Sequence, residues 1–209
     1  GLAVVAVGVV QLAEGRERLA LDHAGHLALG DVLGVGGRAG MGRAHHLTVG
    51  RAALGLVHDL ELMLLASREQ GVPMIIGSAG DTGTNSRVDM YVNMIRDMAK
   101  KHNMKKFKLA YFYSEVDKEY LRNKMNNGEK IEGLDGRSDL TIEELDATTR
   151  IVAVAGVHPF VKALEMGADV IIGGRTSDAC VFAAAAIHEG FPENIAYYTG
   201  KVLECASFC

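Results

Sequence analysis

Ala168-Asp169-Val170-Ile171-Ile172-Gly173-Gly174-Arg175-Thr176-Ser177-Asp178 is the stretch that decides the fold. It begins as a short, almost wholly apolar run rich in β-branched residues. Two glycines and an arginine follow, and then a polar Ser-Asp pair opens a segment dominated by Ala, Val and Phe that runs to His188. A continuous apolar run, rather than an alternating one, marks a strand buried on both faces, as in a parallel sheet. The glycines turn the chain, and the Ser-Asp pair supplies the side chains that start helices.

The same unit recurs outward from this stretch. Upstream, Pro159 suits the first position of a helix reaching Met166, with Gly167 to stop it. Residues 151–155 read as a strand. Thr141-Ile142-Glu143-Glu144 is a capping box opening a short helix. Residues 130–139 are a polar excursion, either hairpin or surface loop, and residues 118–127 a short helix. Residues 106–113 alternate and hold aromatics, as strands do. A helix is expected over 86–103, with Ser86-Arg87-Val88-Asp89 as its capping box and Val88, Tyr91, Met94, Ile95 and Met98 on one face. Residues 72–76 are a strand, preceded by a helix over 59–69 that Gly71 ends. Downstream, Pro192 opens a last helix. Strands alternating with helices specify an α/β fold: a mostly parallel, three-layer arrangement with helices on both faces of the sheet.

Whole-chain averages conceal a discontinuity. The 209 residues carry a net charge of −4, but residues 1–58 contain no Lys, Ile, Asn, Ser, Pro, Phe, Tyr or Cys, while 59–209 hold all ten Lys and all ten Ile. All but Met41 and Thr48 of the first 58 residues belong to nine types encodable by codons beginning with G or C. Such a bias arises when a GC-rich gene is read on its opposite strand. The expectation is therefore a Gly/Ala/His-rich leader, non-native or poorly ordered, joined to an α/β domain over 59–209. The alternative is a genuine segment from a GC-rich genome.

Composition also narrows function. A pI near 6.1 gives a nucleic-acid partner no electrostatic support. The sequence lacks an apolar run of the roughly 18 to 20 residues that a membrane helix needs. Three cysteines make no disulfide framework and fit a reducing, cytoplasmic setting. Neither Cys205 with Cys209 nor His23, His26, His45 and His46 come with further ligands at metal-site spacing, so no metal is expected.

In sheets of this kind ligands bind beyond the carboxyl ends of the strands. Four loops lie there: residues 77–85, 114–117, 156–158 and 173–178. In the first, Gly77, Ser78, Gly80, Gly83 and Asn85 lead into a helix, a setting for an anion held by backbone amides or for a tight turn needing positive φ. In the fourth, Gly174, Arg175, Ser177 and Asp178 surround a helix start. Arg175 is suited either to a bidentate clamp on a carboxylate or phosphate or to an ion pair with Asp178, Asp81 or Glu115. Asp178 and Asp117 also read as helix caps. Asp81, Glu115 and His158 are candidates for proton transfer, although His158 reads better as a structural histidine and Cys180 as a small core residue.

The runs Asp59-Leu60-Glu61-Leu62-Met63-Leu64, Gly77-Ser78-Ala79-Gly80, Tyr113-Ser114-Glu115-Val116-Asp117, Ala168 through Arg175 with Ser177-Asp178, and Leu203-Glu204-Cys205 together resemble the acyclic terpene utilisation (AtuA-type) family, in order over about residues 59–209. The resemblance implies a Rossmann-like fold and a place in the breakdown of citronellol- and geraniol-type compounds through acyl-CoA intermediates. It also implies an opening strand and acid-containing glycine loop that residues 1–58 do not match, and further chain after Cys209, so a domain truncated at both ends is expected. Asp81-Thr82 stands where the family is expected to carry small residues.

The leading expectation is thus a family fragment acting on a terpenoid or branched acyl-CoA, or a related small acid, by a lyase or hydratase-type step. The glycine loop and Arg175 would hold the anionic group, and Asp81 or Glu115 would move a proton. The competing expectations are a non-catalytic accessory subunit of acyl-CoA enzymes and a non-functional, mispredicted gene product. A homo-oligomer or an acyl-CoA enzyme is the expected protein partner, and the sequence names no cofactor. Deleting residues 1–58 is expected to leave a cooperative thermal transition unchanged by circular dichroism; loss of the transition would place the leader inside the folded unit.

Overall fold

The computed structural model describes residues 5–6 and 43–204. The remainder of residues 1–42, together with Cys205 and Cys209, lies outside the described residues, and with it most of the expected leader. The elements are β1 (Val5–Ala6), α1 (Arg43–Gln70), β2 (Met74–Ile76), α2 (Asn85–Lys101), β3 (Leu109–Phe112), α3 (Lys118–Asn126), α4 (Ile142–Ala147), α5 (His158–Glu165), β4 (Val170–Gly173), α6 (Asp178–His188) and α7 (Glu193–Glu204).

Among the described residues all strand pairs are parallel, in the order β1-β2-β4-β3. The chain leaves β2, passes through α2 to β3, and returns through α5 to insert β4 between them. Met74, Ile75 and Ile76 face Val170, Ile171 and Ile172, and the other edge of β4 runs Val170 to Gly173 against Leu109 to Phe112. Val5 and Ala6 add to the far edge of β2, opposite Met74 and Ile75.

Helices cover both faces of this α/β sheet. Helices α1 and α2 pack on one another and on the strands, while α5, α6 and α7 pack in sequence. Val170, Ile171 and Ile172 are fully buried, as their unbroken apolar run requires. Val88, Tyr91, Val92, Ile95 and Met98 form the buried face of α2, and Phe160, Ala163 and Leu164 that of α5. The Phe160 ring meets Phe112 edge to face, with centroids 5.2 Å apart. Among the described residues, no helix is long and apolar enough to cross a membrane.

The amino ends of the strands are tied by one ion pair. Arg68, at the end of α1, donates to Asp169 Oδ1 at 2.6 Å and to the carbonyls of Val72 and Asp169. Asp169 Oδ2 in turn accepts the Lys108 amide at 2.7 Å, so α1 and the entries to β2, β3 and β4 share one carboxylate.

Four expectations need correction. The first helix begins at Arg43 rather than Asp59, because residues 43–58 contain no proline and the two glycines there do not stop a helix rich in Ala and Leu. Helix α2 is capped from Thr84, and its N-cap makes no side-chain bond, so Ser86–Asp89 is not a capping box. Ser177, not Asp178, is the N-cap of α6. Residues 151–155 are not a sheet strand: they make only bridges, Glu115 with Val152 and Ala155 with Thr176. Val154 is 64% exposed there, so the apolar run crosses the ends of β3 and β4 instead of entering the sheet. By contrast, Asp117 caps α3 and Thr141 forms its capping box with Glu144, as read from sequence.

Ile171→Ala should destabilise the protein by about 2–5 kcal/mol, the cost of a cavity at a fully buried strand position. Urea unfolding monitored by circular dichroism measures it, with the midpoint falling and the slope unchanged.

Candidate functional site

The loops beyond β2, β3 and β4 interlock through their backbones. The amides of Ser78 and Ala79 donate to the carbonyls of Gly174 and Gly173, and the Arg175 amide donates to the Gly83 carbonyl. Gly83 has φ +65°, and a Cβ there would lie 2.2 Å from the Arg175 nitrogen. A Cβ on Gly174 would lie 2.4 Å from Ser114 Oγ. These two glycines are therefore required by close approach, which is the physical meaning of their place in the motif. Ser78 and Asp81 also hold positive φ, 45° and 73°, without being glycine. Such backbone persists only where surrounding bonds over-determine it. Here Thr176 supplies some of them: its amide donates to Ser78 Oγ at 3.3 Å, and its carbonyl lies 3.3 Å from the same oxygen.

Asn85 and Glu115 form a reciprocal pair across the first two loops. Glu115 Oε1 accepts the Asn85 amide at 2.9 Å, and Asn85 Oδ1 accepts the Glu115 amide at 3.3 Å. Arg150 Nη1 donates to the same carboxylate oxygen at 3.0 Å. The positive end of α2 is thus met by the protein's own carboxylate.

Arg175 is held differently. Its Nη1 donates to the Asp81 carbonyl at 3.1 Å, and its own carbonyl accepts Ser114 Oγ and the Ala155 amide. Among the described residues no carboxylate pairs with its guanidinium, nor does any cation pair with Asp81. Asp81 is exposed beside this contact. Ser177 donates its amide to Ala155, and Asp178 opens α6 in contact with solvent. His158 opens α5 on the surface and takes part in none of the bonds joining the other loops.

Beside these loops lies an open pocket of about 270 Å³, lined by Gly77, Ser78, Thr176, Asp178, Val181, Phe182 and Glu204. Its hydroxyls come from two loops and its apolar wall from α6.

Sequence reading overlooked several residues of this region. Thr176 and Ser114 were read only as members of their loops; both are buried and satisfied within the interlock. Arg150, which fixes Glu115, precedes a run that reads only as strand. Tyr113 donates to Asp89 Oδ1 at 2.5 Å, and burial together with this carboxylate pushes its phenol well above the ordinary range. Asp89, read from sequence as the end of a capping box, is instead the acceptor for Tyr113.

Cys180 is fully buried, with Sγ 2.8 Å from the Ser177 carbonyl. Burial pushes its thiol up from 9.0 to about 11, so it stays neutral and is not a nucleophile at neutral pH. The folded state disfavours the thiolate. Its contribution is therefore complete below pH 9.0 and falls away towards pH 11, where the unfolded chain ionises first. Cys180→Ala should flatten the stability loss across that window, read from denaturant midpoints at stepped pH; an unchanged slope would show the thiol is not its source.

A comparison with protein families matches residues 53–209 to the family described as "Acyclic terpene utilisation family protein AtuA". No curated protein and no solved structure matches the chain.

Proposed function

The chain belongs to the acyclic terpene utilisation (AtuA) family, and from that premise we propose that it binds a terpenoid or branched acyl-CoA, or the corresponding small acid, at the carboxyl ends of β2 and β4. The observation that carries this reading is Arg175. Its backbone is fixed from both sides by Gly83 and Ser114, yet its guanidinium is committed only to a carbonyl. A positioned arginine with four unused donor positions fits a carboxylate, thioester carbonyl or phosphate. Gly77, Ser78, Gly80, Gly83 and Gly174 set the loop geometry around it, and Ser177 and Asp178 form the adjoining helix start.

Within this reading a lyase or hydratase-type step would draw on Asp81 for the proton, since its carboxylate is exposed and unpaired among the described residues. Glu115 is the weaker choice, because its carboxylate already serves Asn85 and Arg150. His158 would act only on a ligand reaching the start of α5. The engagement of Glu115 favours a second reading, in which the same loops recognise an acyl-CoA for neighbouring enzymes without turning it over. We place it in the cytoplasm, in keeping with three cysteines that make no disulfide framework.

Arg175→Ala should weaken binding of citronellyl-CoA roughly 10- to 100-fold, the equivalent of about 1.5–3 kcal/mol for a charged hydrogen bond. Isothermal titration of the full chain measures it; equal affinity in the two proteins would remove Arg175 from the site. Turnover lost on Asp81→Asn, with binding kept, would favour the enzymatic reading.

A further inference from the structure

We infer that the outer edge of residues 151–155 is an interface at which two copies of this chain pair as antiparallel strands. The inference does not rest on the ligand reading above.

The backbone sets up the edge. In an extended segment the N–H and C=O groups of successive residues point to opposite edges. The odd-numbered residues are spent on one of them. The Ile151 carbonyl accepts the Val116 amide at 2.9 Å, and Ala153 donates to the Ser114 carbonyl at 2.7 Å. Ala155 donates to the Arg175 carbonyl and accepts the Ser177 amide, both at 2.9 Å. Val152 and Val154 therefore turn their N–H and C=O groups the other way. Among the described residues neither makes a hydrogen bond.

Composition leaves this edge undefended. Proteins guard open edges with lysine, proline, inward charges or bulges. Residues 151–157 read Ile-Val-Ala-Val-Ala-Gly-Val, with no charged residue and no proline. Val154 is 64% exposed, and Ala153 beside it is exposed as well. An uncharged, β-branched edge with open backbone groups is the surface that strand addition uses.

Self-complementarity chooses the occupant. Antiparallel pairing about Ala153 sets Val152 against Val154 of the second copy, and Val154 against its Val152. Each such pair exchanges both N–H···O=C bonds, so the open groups of Val152 and Val154 are answered on both copies. The nearest charged side chain does not oppose the pairing. Like charges set directly opposite destabilise a strand pair, but in this register Arg150 faces Gly156 of the second copy, and His158 faces its Thr148. Arg150 is already paired with Glu115 at 3.0 Å. The arrangement is isologous and closes: once two edges meet, neither remains for a third copy. An unrelated extended peptide would need to bring matching groups, whereas this edge supplies them to itself.

The test uses the full chain over a concentration series, with mass read by sedimentation velocity and amide exchange by NMR. A dimer should form as concentration rises. The Val152 and Val154 amides should exchange fast in dilute protein and slow in proportion to the dimer fraction, while those of Ala153 and Ala155 stay slow throughout. Val154→Pro removes one outward donor from each copy and should weaken association roughly tenfold or more. Proline is tolerated at an edge position whose N–H faces outward, so the monomer should keep its thermal transition. Val154→Thr keeps the donor and the β-branch and should dimerise as the unaltered chain does. Val154→Lys, which sets a charge beside Val152 of the second copy, serves if the proline variant does not fold. Exchange at Val152 and Val154 that is fast at every concentration would leave the edge open and overturn the inference. Exchange that is slow at every concentration would assign the edge to a segment of the same chain and overturn it equally, as would a dimer that survives the proline or lysine substitution unweakened.

Discussion

Strand β4 is paired along both edges, and the loops at its two ends hold the neighbouring strands in place. At its start, Asp169 gathers Arg68 and the Lys108 amide. At its finish, Gly173 and Gly174 accept the amides of Ala79 and Ser78. The insertion of this strand between β2 and β3 brings together loops that are far apart in the chain. The backbone contact of Gly83 with Arg175 spans 92 positions of sequence, and it exists only because β4 returns to the middle of the sheet. The arginine, the glycine loop and the pocket are positioned by that return.

The α/β class was legible because its signal is local. An apolar run such as residues 170–172 reports burial on both faces, and Thr141 with Glu144, or Asp117 alone, reports a helix start through side-chain bonds made within three residues. The misreadings arose where the signal depends on distant partners. Residues 151–155 have the composition of a strand, yet their neighbours are loop residues 114–116 and 175–177, not strand edges. The start of α1 was set too late because Asp59 looked like a beginning, although nothing before it stops the helix. That helix crosses the compositional discontinuity at residue 58, and the family match opens at residue 53.

The site was legible in its parts but not in its connections. Gly83, Gly174 and Arg175 were visible as residues of unusual loops; that two of them touch was not. Glu115 looked like a free acid because its partners, Asn85 and Arg150, lie 30 and 35 positions away. Charge balance in this region is therefore uneven by construction. One helix start is neutralised by Glu115 and another by Asp178, and the arginine between them carries a charge that the described protein does not answer.

The segment over residues 151–155 has a consequence for how this region opens. The Ile151 carbonyl accepts from Val116, the Ala153 amide donates to Ser114, and the Ala155 amide donates to Arg175, whose neighbour Ser177 returns a bond to Ala155. The segment is stitched first to the loop after β3 and then to the loop after β4, while Ala153 and Val154 remain exposed. The Ala153 and Ala155 amides would consequently exchange with solvent only when the segment parts from these loops, however exposed the side chains around them are. Slow exchange at Ala153 and Ala155 therefore reports the integrity of the whole carboxyl-end assembly, and a ligand bridging the loops would register there before it altered the core.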